Sequence, residues 1–309
     1  MTHVLLFFID GLGVGVDDPD RNPLATGEFE TLTLTESKTP AADSIRPRMA
    51  WGIDASLGVP GLPQSATGQT AILTGVNAPA VLGHHASGFP GPTLRRVLFE
   101  HSILKRLRER GRSATFLNAF RPEYFEEPSA PRRLSATSLA TLASGSRFRS
   151  WEDLLAGRAV THDLTHRRLR ERGYDLRLRP AEEAGAILAA ETALGDFSLF
   201  EYFETDRAAH AQDRARADEC LGDLDRALRT LLTSADLSRV TVIVASDHGN
   251  LEDLSVGTHT RNPAFFALWG PEEPPGGGAW PAPRSLTDLA PLVFRALGLE
   301  PDGATSGGG

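Results

Sequence analysis

The sequence predicts an α/β fold: a mostly parallel sheet with helices on both faces, carrying a small inserted subdomain. Three observations lead there. Continuous apolar runs of strand length recur along the chain, segments of helical period alternate with them, and between residues 119 and 179 the alternation lapses. With 309 residues, 40% of them hydrophobic and 23% charged, the chain can bury one large core, and no repeat array interrupts it.

Residues 4–9 (VLLFFI) stop at Asp10-Gly11-Leu12-Gly13, which reads as a strand buried on both faces followed by a turn. This run lacks the basic stretch and small-residue cleavage site of a secretion signal, so it is expected to be the first strand. Residues 17–63 are rich in Pro, Gly and Thr, and no element is assigned there. Residues 65–73 (SATGQTAIL) predict a helix that starts at or near Ser65 and is closed by Gly75. The 3.6 period of residues 94–110 predicts one helix ending at Gly111, and 114–117 (ATFL) the next strand. Residues 119–179 form the Arg-rich insertion, with Pro122, Pro128 and Pro131 near its start, and residues 1–118 and 180–309 are expected to make one discontinuous core. A helix from Pro180 restores the alternation. After it come a strand at 198–203 running into Asp206, a helix at about 214–232, a strand at 240–245 running into Asp247-His248, a strand at 263–269 and a helix at 286–297. The tail after Pro301 reads as flexible.

The net charge of -8 disfavours a general nucleic-acid binder, which needs a basic footprint for phosphates. Arg outnumbers Lys 30 to 2, an excess that biased composition explains. The single cysteine, Cys220, excludes an intrachain disulfide and a Cys-rich metal site. Its helical spacing to Leu224, Ala227, Leu228 and Leu231 places it on a core face. No run approaches the ~20 apolar residues of a membrane span, so no membrane partner and a cytoplasmic location are expected.

In an open parallel sheet the binding crevice lies beyond the carboxyl ends of the strands. Asp10, Asp206 and Asp247 each follow a strand-like run at that end. Three carboxylates at one edge repel one another unless cations compensate them. Histidines arrive with them: His210 is four residues after Asp206, His248 follows Asp247, and His259 lies eleven residues further on in GTHTRNP. Carboxylates mixed with imidazoles suit Zn or Mn, and the set suggests two divalent ions about 3.5 to 4 Å apart. Ser65 is a candidate nucleophile, because a bound metal can deprotonate its hydroxyl and a helix N-terminus favours an arriving phosphate. Thr67 competes for that role. His84 and His85 read either as substrate contacts or as a plain surface loop. Arg121, Arg132, Arg133, Arg147 and Arg149 offer phosphate-binding forks, although composition accounts for them equally well.

FIDGLG, PQSATGQTAILTG around Ser65, TDRAAH at 205–210, SDHGN at 246–250 and HTRNP at 259–263 resemble, in that order, motifs of the alkaline phosphatase superfamily. The last two are most similar to its branch of cofactor-independent phosphoglycerate mutases and phosphopentomutases. The resemblance covers roughly residues 1–118 and 180–300. It implies that one metal takes Asp206, His210 and His259, and that the other takes Asp10, Ser65, Asp247 and His248. It also favours Ser65 over Thr67, and implies a covalent phospho-serine that a second acceptor resolves. The expected function is a metal-dependent phosphomonoester hydrolase acting on a small phosphorylated substrate. A phosphomutase, a phosphodiesterase or a metal-binding scaffold without catalysis are the alternatives. The insertion is much smaller than the caps of the mutases, which favours hydrolysis. Sulfatase chemistry is disfavoured, because Thr67 and Gln69 stand where that branch has Pro and Arg.

Overall fold

The computed structural model describes residues 2–40, 45–126 and 133–300. Six strands make one sheet: β1 (His3–Ile9), β2 (Met49–Ile53), β3 (Ala114–Phe116), β4 (Phe197–Tyr202), β5 (Val240–Ser246) and β6 (Ala264–Trp269). Their order across the sheet is β2-β6-β5-β1-β4-β3. β1 pairs in parallel with β4 and β5, and β3 with β4, while β6 runs antiparallel to both β5 and β2. All residues of β4, β5 and β6 are buried, as near-continuous apolar runs require.

Eleven α-helices follow in chain order among the described residues: α1 (Ser65–Thr74), α2 (Ala78–Leu82), α3 (Pro92–His101), α4 (Ile103–Glu109), α5 (Ala136–Ala143), α6 (Trp151–Leu155), α7 (Arg167–Glu171), α8 (Ala181–Thr192), α9 (Glu204–His210), α10 (Arg214–Ser234) and α11 (Leu289–Ala296). The period of two in β1 divides the core between the two faces. Leu5, Phe7 and Ile9 pack with Ala184, Leu188 and Leu228 of α8 and α10. Val4, Leu6 and Phe8 pack on the other face with α1, α4 and α11. Cys220 lies buried in the first of these layers.

Two elements depart from the sequence expectation. The segment 94–110 is two helices rather than one, because Ser102 adopts extended backbone (φ −63°, ψ 142°) as the first residue before α4. The Ser102 hydroxyl makes no capping bond, and the apolar period continues on both sides of the break, which hides it from a periodicity argument. Within the unassigned stretch 17–63, the chain forms β2, which closes one edge of the sheet against β6.

Of the segment 119–179, α5 buries Ala136, Leu139 and Ala140 in the same layer as α4 and α11. Bridges from Asn118 to Val160 and from Ala119 to Arg149 tie the rest to the β3 side of the sheet. Pro128, Pro131, Arg132 and the tail after Pro301 fall outside the described residues. No described helix is long and apolar enough to cross a membrane.

Candidate metal centre

β1 delivers Asp10 to the carboxyl edge of the sheet, where the Asp10 N–H donates to Tyr202 O at 2.8 Å. Gly11 follows with φ 71°, a left-handed turn conformation in which a Cβ would also sit 2.9 Å from Asp206 Cβ, so glycine is required twice over. β4 delivers α9 after a single residue, Phe203, and one helical turn brings Asp206 and His210 to the same side. β5 delivers Asp247 and His248. Because β6 returns antiparallel, the chain needs no crossover helix, and the loop between these strands carries His259 back to the edge that it left at His248. α1 sets Ser65 at its first position, and Gly68 one turn on lets the helix approach Asp247: a Cβ there would lie 2.8 Å from the Asp247 carbonyl oxygen.

The seven residues singled out from sequence therefore converge. His248 Nε2 lies 2.9 Å from Ser65 Oγ, 3.3 Å from Asp10 Oδ1 and 3.5 Å from Asp247 Oδ2. Asp206 lies 3.4 Å from His210 Nε2 and 3.5 Å from His259 Nε2. The rings of His248 and His259 stack at 3.7 Å, which joins the two groups.

The histidines are oriented from behind. His259 Nδ1 contacts Pro63 O at 2.8 Å and His210 Nδ1 contacts Gly257 O at 3.1 Å. A carbonyl only accepts, so each Nδ1 carries the proton and each Nε2 presents a lone pair. Those two Nε2 atoms stand 3.2 Å apart, an arrangement that calls for a cation between them. The buried oxygens Asp10 Oδ1 and Asp247 Oδ2 likewise lack a hydrogen-bond partner. Burial raises the carboxyl pKa of both Asp10 and Asp247, the latter far above its ordinary value. Burial would lower the pKa of His248, but Asp247 and Asp10 push it up to about 10. Burial also pulls Asp206 upward, yet the surrounding His259, His248 and His210 rings and the Asn250 amide hold it at about 2. This donor set is short of positive charge, and divalent ions fit it. Asp10, Asp247 and His248 form one compact trio of possible ligand atoms, and Asp206, His248 and His259 another.

Four residues that sequence reasoning passed over support the centre. Glu252 is fully buried and accepts from the Gly13 and Asn250 N–H groups at 2.8 and 2.7 Å, from Asn262 Nδ2 at 3.1 Å and from the Thr260 hydroxyl. It thus clasps both ends of the His248–His259 loop. Asn250 Nδ2 donates to Asp206 Oδ1 at 2.7 Å, and Gln69 Nε2 to Asp10 Oδ2 at 3.3 Å. Gln69 follows Ser65 by four residues on one helix, a spacing that could have flagged it. Glu201 lies in the fully buried β4, where burial pushes its carboxyl up to about 7 although the Thr137 hydroxyl donates to it at 2.5 Å. A charge in a fully buried central strand was its signal.

The remaining candidates separate. The Thr67 hydroxyl donates to Gln64 O at 3.0 Å and is buried. His84 and His85 contact Leu82 O and Val59 O, and neither lines the cavity beside the centre. Arg147 and Arg149 pair with Asp153 and Glu191, whereas Arg121 and Arg133 line that cavity. The cavity measures about 890 Å³ and opens directly onto Asp10, Ser65, Asp206, His210 and His259.

The sequence profile of the Metalloenzyme superfamily matches residues 174–301. Cofactor-independent phosphoglycerate mutases are similar over the same order of length. That of Haloquadratum walsbyi is 29% identical over 127 residues, covering 40% of this chain and 25% of its own. That of Desulforudis audaxviator is 28% identical over 133 residues, covering 41% and 26%. The chain thus matches about a quarter of the length of these curated relatives. Among solved structures, a protein from Pyrococcus horikoshii superposes with TM-score 0.57 at 15% identity, covering 96% of this chain and 97% of that one. The alkaline phosphatase of the Antarctic bacterium TAB5 gives 0.51 at 13%, covering 97% and 99%, and the Leishmania mexicana phosphoglycerate mutase 0.52 at 12%, covering 98% and 96%. Residues 174–301, with Asp206, His210, Asp247, His248 and His259 among them, thus match the profile of the Metalloenzyme superfamily, and the chain as a whole has an alkaline phosphatase-like fold.

Proposed function

We propose that this chain is a metal-dependent phosphoryl-transfer enzyme, and that it hydrolyses phosphate monoesters through phospho-Ser65. The observation that carries this reading is Ser65 itself: its hydroxyl heads α1, 2.9 Å from His248 Nε2, against the buried carboxylates of Asp10 and Asp247. Asp10, Ser65, Asp247 and His248 would hold one divalent ion, and Asp206, His210 and His259 a second, with Mn or Zn suited to such mixed ligands. When bound, two such ions supply positive charge that activates a hydroxyl and stabilises a transferring phosphoryl group.

The chain's own residues do the rest. Ser65 Oγ attacks phosphorus in line with the ester oxygen, which departs on the side of Asp206 and His210. The N-terminus of α1 faces the arriving anion. Gln69 and Asn250 keep Asp10 and Asp206 in position through their amide donors. Water then resolves the phospho-serine, and the cavity leaves room for it.

Incubation of the Mn- or Zn-loaded protein with simple phosphate monoesters should release inorganic phosphate. Ser65→Ala should lose at least about 10³-fold of that rate, as removal of a nucleophile does elsewhere. Equal rates for both proteins would reject phospho-Ser65. A phosphomutase is the second reading, favoured by the names of the curated relatives. It predicts that labelled phosphate from Ser65 reappears in an isomeric ester rather than in solution.

A further inference from the structure

The cavity beside the centre has walls of a composition that the centre does not need. Phe89 lines it with half its surface exposed (51%). Phe120 and Tyr124 line it as a tilted pair with centroids 4.8 Å apart, and His162 stacks on Phe203 at 4.2 Å and 8°. These faces suit a flat ring, which stacks on aromatic side chains in offset or edge geometry.

Charge is distributed unevenly among the arginines of the same cavity. Arg168 and Arg207 are committed to Glu204, at 2.5 and 3.0 Å. Arg133 and Arg172 are exposed and line the cavity with no ion-pair partner among the described residues. Unpaired guanidinium groups facing a cavity are ready receptors for an anion. The same cavity thus presents carboxylates and imidazoles, aromatic rings and unpaired positive charge. At about 890 Å³ the space matches a ligand of drug size and far exceeds a phosphorylated three-carbon acid.

We propose that the cavity selects phosphate esters whose ester group is a flat aryl or heteroaryl ring bearing a second anionic group. The phosphoryl group lies on Ser65, the ring lies along Phe89 and the Phe120–Tyr124 pair, and the second anion meets Arg172 and Arg133. This specificity rests on the phosphoryl-transfer reading of Ser65 but is testable without turnover.

The test measures binding of unreactive phosphonates to metal-loaded Ser65→Ala protein by calorimetry, comparing methylphosphonate, naphthylphosphonate and a carboxylated naphthylphosphonate. Affinity should rise at least about tenfold at each step, in that order. Phe89→Ala should erase most of the first gain. Arg172→Ala should erase most of the second, about tenfold, because a charge-assisted hydrogen bond is lost. Both side chains are exposed, so neither substitution threatens the fold. Equal affinities across the series, or no binding of any phosphonate, would overturn the proposal. If the series holds but the wild-type protein releases no phosphate from the matching esters, the phosphoryl-transfer reading fails while the binding specificity stands.

Discussion

Asp10, Asp247 and His248 occupy a different physical environment from Asp206, His210 and His259, although the two groups meet in one centre. The side chains of Asp247 and His248 are fully buried, and all three members of the inner group come directly from the ends of β1 and β5. In the outer group His210 is 45% exposed and Asp206 17%, and both ride on the seven-residue α9. The inner group is fixed by the sheet itself. The outer group depends on polar clasps, namely Glu252 under the His259 loop and Glu204 at the start of α9. A site built this way keeps one half rigid and leaves the other open to cavity and solvent.

If that contrast is right, removal of a clasp should cost more stability than removal of an outer ligand. Glu252→Ala leaves four donors without their acceptor in a buried position, and should destabilise the metal-free chain by roughly 3 to 5 kcal/mol. Urea denaturation measures this, and a loss under about 1 kcal/mol would break the comparison.

Glu204 is the next largest. It joins His162 and Arg168 of the segment 119–179 to Arg207 of α9 and Arg216 of α10. Burial pulls its carboxyl upward, but His162, Arg168 and Arg216 hold it well below the ordinary 4.5. A carboxyl depressed in the fold contributes stability above its unfolded pKa, and that contribution drains away as pH falls towards the folded value. Glu204→Gln should therefore cost about 2 kcal/mol near neutrality and progressively less below pH 4.5. A cost independent of pH would mean that Glu204 acts by packing alone.

The proposed ligands themselves sharpen the contrast at smaller energies. His210→Ala should weaken binding of one divalent ion about tenfold, or ~1.4 kcal/mol, and leave the other in place. Asp247→Asn should weaken the inner ion more than His210→Ala weakens the outer one. Calorimetric titration of the metal-free protein with Mn resolves the two, and the reverse ranking would contradict the assignment of rigid and open halves.

Much of this centre was legible before the structure. Asp10, Asp206 and Asp247 could be read because an apolar run that ends in a charge marks a strand reaching an edge, and His248 and His259 because polar clusters stood where no turn or core needs them. Direction was not legible. Nothing in PAFFALW says that β6 runs antiparallel, although that reversal is what returns His259 to the edge left at His248. β2 escaped because its five residues, four of them only half-buried at a sheet edge, lie inside a stretch whose Pro, Gly and Thr content reads as irregular. Glu252 and Glu201 escaped because a buried carboxylate is identified by its partners, which lie apart in the chain: Gly13 is 239 residues from Glu252, and Thr137 is 64 from Glu201.

The most direct test of the two-half centre is anomalous diffraction from crystals soaked in Mn. The proposed ligand sets predict one peak among Asp10, Ser65, Asp247 and His248 and a second among Asp206, His210 and His259, with the second lost first as the Mn concentration is lowered. A single peak, or peaks away from these seven residues, would contradict it.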